Sequence, residues 1–205
     1  MAGIEQNRDR EKLVHLQNEI AQCRMCRDLF GFEPHPVIQG NQDAKIMQIS
    51  QAPSKRVHET GKPFHDASGR TLRGEWYHIA DTDFYNPANF YIVSMAHCYP
   101  GKAPGGGDRR PPGICSRQWL VKELELVNNE IYLIIGRVAA EFFFPGETIT
   151  TLAFENRQIN GKPAYILPHP SPLNRKWLKD YPEFLEKRIP EIQKEVHKVL
   201  GILEE

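Results

Sequence analysis

Apolar positions along this chain switch between two periods. Between residues 8 and 22, Leu13, Leu16, Ile20 and Ala21 recur at helical spacing among charged residues, which predicts an amphipathic helix. Lys45–Ser50 then shortens the period to that of a strand. Ala67–Ile79 is helical again, with Leu72, Trp76 and Ile79 on one side. Phe90–Cys98 is a continuous apolar, aromatic and β-branched run, the pattern of a strand buried on both faces. A helix is expected from Ile114 to Val127, with Leu120, Leu124 and Val127 inward. A third strand follows at Glu130–Gly136, then a short helix at Arg137–Phe144 stopped by Pro145-Gly146. Ala164–Pro168 reads as a fourth strand. From Arg175 a helix is expected to bury Leu185, Ile189, Ile192, Val196, Val199 and Leu200, with a break or kink at Pro190.

Polar punctuation fills the gaps. Gly31, Pro34, Pro36, Gly40 and Asn41 make residues 27–43 a loop, with an extended piece at Val37-Ile38. Pro53 has no N–H to donate, so the first strand ends and a long polar loop begins. Residues 99–113 carry too much Gly and Pro for a regular element, and 147–163 is irregular around a hairpin signal, Asn160-Gly161-Lys162. Strand and helix alternate, which predicts the α/β class: a three-layer α/β/α domain around a central, mostly parallel, four-stranded sheet. Such sheets bind ligands at their carboxyl edge. The polar residues after each strand are therefore the candidates: Gln51, Ala52, Pro53 and Ser54; then Ser94, His97 and Cys98; then His169, Pro170, Ser171, Pro172, Leu173 and Asn174.

Composition adds limits. The 205 residues read as one domain, 1–205, with a helical extension over about 178–205. At 40% hydrophobic and 25% charged residues the chain has the make-up of a soluble globular protein. Its formal net charge is zero, so nucleic-acid binding would need a local basic face. Lys55, Arg56, Lys102, Arg109, Arg110, Arg175 and Lys176 fall in loops near the carboxyl edge and can supply one. There is no eighteen-residue apolar run and no apolar leader, so a cytoplasmic protein with no membrane contact, working as a monomer, is expected.

Only four cysteines are present: Cys23, Cys26, Cys98 and Cys115. The C-x-x-C pair at a helix end can be a redox dithiol, half of a metal site, or two incidental thiols. If the first helix packs near the second strand, all four meet. Four thiolates suit a tetrahedral zinc or a [4Fe-4S] cluster, and buried free thiols are the plain alternative.

With this spacing on the page, the chain resembles the iron–sulfur uracil-DNA glycosylases of families 4 and 5, from about Cys23 to Asn174. The resemblance rests on the four-cysteine frame, on Gln51-Ala52-Pro53-Ser54 at the first motif, and on Gly61-Lys62-Pro63-Phe64 followed by Ala67-Ser68-Gly69. Leu133-Ile-Ile-Gly136-Arg137 and His169-Pro-Ser-Pro-Leu173-Asn174 complete it. It implies a base-excision enzyme acting on damaged DNA, a [4Fe-4S] cluster (or, in its place, zinc) on the four cysteines, and a base pocket of Ala52, Pro53, Phe64 and Ser94. His169 would donate to the uracil O2, Phe64 would stack on the flipped base, and Leu173 would fill the gap in the duplex. Ser54, Lys55, Arg56, Ser171, Pro172 and Asn174 would contact DNA.

Two departures stand out. The resemblance places a catalytic carboxylate at Gln51 (family 4) or at Ala52 (family 1), and this chain has neither. Asp66 and Glu59 are substitutes nearby, and His58 or His65 can hold a water. Ser94 stands where the family commonly has an asparagine that reads the base edge, which leaves open uracil, another deaminated base, or a pocket with weaker selection. Three classes remain: an active glycosylase, a binding protein on the same fold, and a metal-stabilised nucleotide-binding domain.

Overall fold

The computed structural model describes residues 2–202. Met1 and residues 203–205, the ends of the expected domain span and of its C-terminal extension, lie outside them. Five strands form one sheet: β1 (Ile46–Ser50), β2 (Phe90–Ser94), β3 (Ile131–Ile135), β4 (Arg157–Ile159) and β5 (Lys162–Leu167), in the order β2-β1-β3-β5-β4. β1, β2, β3 and β5 run parallel; β4 pairs antiparallel with β5. The expected sheet thus has five strands, not four. The extra one comes from the hairpin signal: Asn160 (φ 51°) and Gly161 (φ 75°) close a two-residue turn between Ile159 and Lys162. Positive φ at both positions gives the twist that two adjoining strands need.

Alternation along the strands divides the core into two halves. Met47, Ile49, Tyr91, Val93, Tyr132 and Ile134 face the layer that holds Leu13, Leu16 and Ile20 of the helix Ala2–Ala21, together with Trp119 and Leu120. Ile46, Phe90, Ile92, Leu133 and Leu167 face Leu72, Trp76, Phe84, Phe184, Ile189, Ile192 and Val196 on the other side. Leu185, expected inside, is 41% exposed. The helical repeat is offset there by the wide turns of Phe184–Arg188, which continue into Ile189–Leu200 with Pro190 in its first turn. No helix among the described residues is long and apolar enough to cross a membrane.

β2 ends at Ser94, four residues short of the expected end. Met95 N–H and Ala96 N–H still bond to the carbonyls of Ser50 and Gln51, but the chain then bends away, carrying His97 and Cys98 into the helical layer. The extended piece expected at 37–38 lies against β2: Gln39 and Ile92 exchange backbone hydrogen bonds, which covers the sheet edge.

The loop after β1 is held by one tight contact. Asp66 caps the helix Ala67–Arg70, its Oδ1 accepting from Gly69 N–H at 3.0 Å and its Oδ2 from the Ser54 hydroxyl at 3.2 Å. The Phe64 carbonyl lies directly on Gly69, where a Cβ would sit 1.7 Å from its oxygen. Buried Arg73 donates to that carbonyl at 3.0 Å and to Asp81 at 2.6 Å, fixing Phe64 at φ 51°. Gly69→Ala is expected to cost about 1–3 kcal/mol in chemical denaturation and to displace the Phe64 loop. A variant as stable as the parent would show that the loop yields freely.

Candidate active-site cleft and cysteine pocket

A cleft of about 670 Å³ opens where β1, β2 and β5 end. Its walls include Gln51, Ala52, Pro53, Ser54, Phe64, Asp66, Ser94, His169, Ser171, Leu173 and Asn174. Topology explains the gathering. Parallel strands deliver all their carboxyl ends to one edge, so residues distant in sequence converge there. Lys55, Arg56 and Pro172 do not line it; both basic residues point out from the helix Lys55–Thr60, with Lys55 paired to Glu59. Glu59 is therefore occupied on the surface. His58 packs against Phe32, Tyr99 and His35 outside the cleft.

Several cleft residues were not among the sequence-derived candidates, Ser50, Asp108, Arg137 and Val37 among them. Strand alternation could have found Ser50, which shares a face with Ile46 at the carboxyl end of β1. Nothing local marks Asp108. It sits in the Gly/Pro segment 99–113, which folds into a small hairpin with Lys102 and Asp108 paired across it at 2.7 Å.

At the floor, the Ser50 and Ser94 hydroxyls lie 2.8 Å apart, 5% and 8% exposed. On one wall, His169 follows β5 in a locked turn: its carbonyl accepts from Ser171 N–H at 2.8 Å and from Asn174 Nδ2 at 2.6 Å. No hydrogen-bond partner meets its ring nitrogens among the described residues. Burial pushes its pKa below the ordinary histidine value, outweighing the opposing pull of Asp66 and Asp108. The ring is therefore neutral at pH 7 and carries one N–H to donate. Phe64 stands edge-on to Phe84 with ring centres 6.3 Å apart. At the rim Leu173 is 93% exposed, an apolar side chain with nothing of its own chain to cover it.

The basic residues are less available than their number suggests. Lys102, Arg110 and Lys176 are paired with Asp108, Glu141 and Asp180. Arg56, Arg109, Arg137 and Arg175 have no ion pair among the described residues, and Arg137 lines the cleft itself.

All four cysteines line a second, nearly closed space of about 10 Å³ in the opposite layer, with Ile20, Phe30, Pro36 and Trp119. Among the described residues no three metal-binding side chains stand as a group that could hold a single ion. Burial, reinforced by the neighbouring sulfurs, raises the thiol of Cys26 to about 11 and that of Cys98 to about 12. Cys115 Sγ accepts from the His97 backbone N–H and faces its ring Nδ1, both at 3.4 Å. The other ring nitrogen meets Glu123 at 2.9 Å, and Glu123 also accepts from the Tyr91 hydroxyl at 2.7 Å. His97 and Glu123 are both fully buried. Burial by itself would lower the His97 pKa, but the Glu123 carboxylate and the bonds to Cys115 and Glu123 hold it at about 10. Glu123→Ala should cost about 3–5 kcal/mol in denaturant unfolding, because it strands the His97 ring. A loss under 1 kcal/mol would mean that the pair is idle.

A sequence profile of the uracil DNA glycosylase superfamily matches residues 37–193. The chain is similar to a type-4 uracil-DNA glycosylase of Archaeoglobus fulgidus, 30% identical over 137 residues, which is 65% of this chain and 64% of that protein. It is also similar to type-4 uracil-DNA glycosylases of Thermotoga maritima (23% identical; 81% of this chain, 85% of that one) and Saccharolobus solfataricus (26%; 65% and 60%). The first and third matches span a little under two thirds of the relatives' length.

Proposed function

The chain belongs to the uracil-DNA glycosylase superfamily, and we propose that it is a monofunctional DNA glycosylase that hydrolyses the N-glycosidic bond of uracil or a related deaminated base in DNA. One observation carries this reading: a single cleft gathers His169, Phe64 and Ser94 beneath the bare Leu173. Breaking the C–N bond leaves negative charge on the departing base and positive charge on the sugar. A neutral His169 N–H aimed at a base carbonyl strengthens its bond as that charge grows, so it stabilises the transition state more than the ground state. Phe64 offers a flat face to the flipped base, and Leu173 occupies the space vacated in the duplex. Arg56, Arg137 and Arg175 would meet phosphates, with Ser54, Lys55, Ser171, Pro172 and Asn174 near the strand.

Gln51 carries no charge, so the water and the sugar cation fall to Asp66. Its two oxygens are oriented by Ser54 and Gly69 N–H, and each keeps a lone pair for water. Gln51 can hold that water by its amide.

The four cysteines fit a thiolate-bound metal group: all four line one pocket, three of them are buried, and His97 beside them meets the Cys115 sulfur. On the resemblance to the iron–sulfur glycosylases the group assigned here is a [4Fe-4S] cluster, with zinc the alternative that four thiolates also suit. Such a group would supply cross-linking, tying Cys98 and Cys115 at the two ends of the segment that presents Asp108. Brown colour with broad visible absorbance in protein purified without air is the expected result; colourless, zinc-loaded protein would reverse this assignment.

Incubation with uracil- and hypoxanthine-containing duplexes, followed by alkali, should give strand breaks at the damaged base. Tight binding without abasic product would instead make this a damage-binding protein. His169→Ala is expected to slow excision ~100- to 1,000-fold, and an unchanged rate would remove His169 from the mechanism. Because the His169 pKa is lowered, excision should show no histidine limb between about pH 6.5 and 8. For the same reason the unfolded chain takes up this proton first. His169's share of stability is complete above about pH 6.5 and is lost as pH falls below it.

A further inference from the structure

The cleft floor is a pair of hydroxyls. Ser50 and Ser94 are register partners at the last step of the β1–β2 ladder, and their side chains meet at 2.8 Å on the cleft side. Two hydroxyls carry two hydrogens, and their mutual bond uses one. One hydrogen is left to donate, with lone pairs beside it to accept. That is the complement of a carbonyl next to a ring N–H, the edge that uracil presents as O4 and N3–H and hypoxanthine as O6 and N1–H.

Depth matters as much as polarity. The reading edge lies across one ring from the glycosidic nitrogen in a pyrimidine and across two fused rings in a purine. With the sugar held at the mouth, a purine needs a lower floor. A serine oxygen is two bonds from Cα, one fewer than an amide oxygen or nitrogen. The backbone cannot close the difference, because both residues are pinned in the parallel ladder and Met95 N–H bonds the Ser50 carbonyl. The cleft's 670 Å³ is within the ordinary range for ligand sites and does not exclude a bicyclic base.

We propose that Ser50 and Ser94 act as one unit that reads the base edge, and that this unit admits hypoxanthine as well as uracil. The proposal rests on the glycosylase reading above. The shared hydrogen can reverse direction, so the pair does not by itself reject cytosine. Cytosine is held back at bond breaking, since it carries an amine where uracil and hypoxanthine carry a carbonyl at that edge, and an amine withdraws less charge from the departing anion.

The test is single-turnover excision by the full-length protein from matched duplexes carrying uracil, hypoxanthine or cytosine. The parent should release uracil and hypoxanthine at rates within about tenfold of each other. Ser94→Asn raises the floor and should shift the ratio toward uracil by about tenfold or more. Ser94→Thr, which keeps the hydroxyl and adds a methyl, should shift it the same way and serves where asparagine prevents folding, as judged by a melting curve. Ser50→Ala removes the partner that orients Ser94 and should slow both bases together. Uracil release without hypoxanthine release, or an unchanged ratio in folded Ser94 variants, overturns the proposal and leaves the glycosylase reading standing. Release of neither base overturns both.

Discussion

The in-register parallel pairing of β1 with β2 fixes the rest of the molecule. Five consecutive steps, from Ile46↔Phe90 to Ser50↔Ser94, end at the same level. A slip of one residue in either strand would turn its serine to the other face and carry its apolar side chains out of their core clusters, because side-chain direction reverses at every step. The cost of misplacing Ile46, Phe90 and Ile92 thus holds two hydroxyls in position. The functional edge is placed by apolar burial that it takes no part in.

Beyond that edge the two layers are joined by one continuous segment. Ser94 faces the cleft, His97 and Cys98 enter the thiol pocket, the 99–113 hairpin returns Asp108 to the cleft, and Cys115 re-enters the pocket. Against this route Tyr91 and Glu123 from the flanking strand and helix, with His97 on it, satisfy one another in a chain that ends on a sulfur. In a dry interior such a chain is strong when complete and costly when broken. The two layers therefore answer to each other through covalent continuity.

Much of this was legible in the residues. The α/β alternation, four of the strands, the helical faces and the arrival of Ser94 and His169 at one sheet edge follow from period and topology, while Phe64 was reached only through the family resemblance. The fifth strand was missed because Arg157–Ile159 is three residues long and sits on the sheet edge, where a weak pattern suffices once Asn160-Gly161 has turned the chain. The early end of β2 was missed because residues 95–98 stay buried after leaving the ladder, and an apolar run does not show where its hydrogen bonds stop. Leu185 departs from the expected pattern because it falls within the wide turns of Phe184–Arg188, whose spacing is not that of an α-helix; from Ile189 on the expected residues face inward. Asp108 had no local signature at all; only the folded hairpin brings it to the cleft.

The left-handed turn at Phe64 carries a consequence for thermodynamics. Its carbonyl is clamped between Gly69 and the Arg73 guanidinium, and Arg73 is in turn held by Asp81 and stacked near Phe84 and Tyr85. The ring is therefore placed when the chain folds. An arriving base does not have to order this loop, so the conformational entropy that a mobile wall would surrender on binding has been given up beforehand. Encounter should then be governed by diffusion and base extrusion, with no added delay from the wall of the pocket.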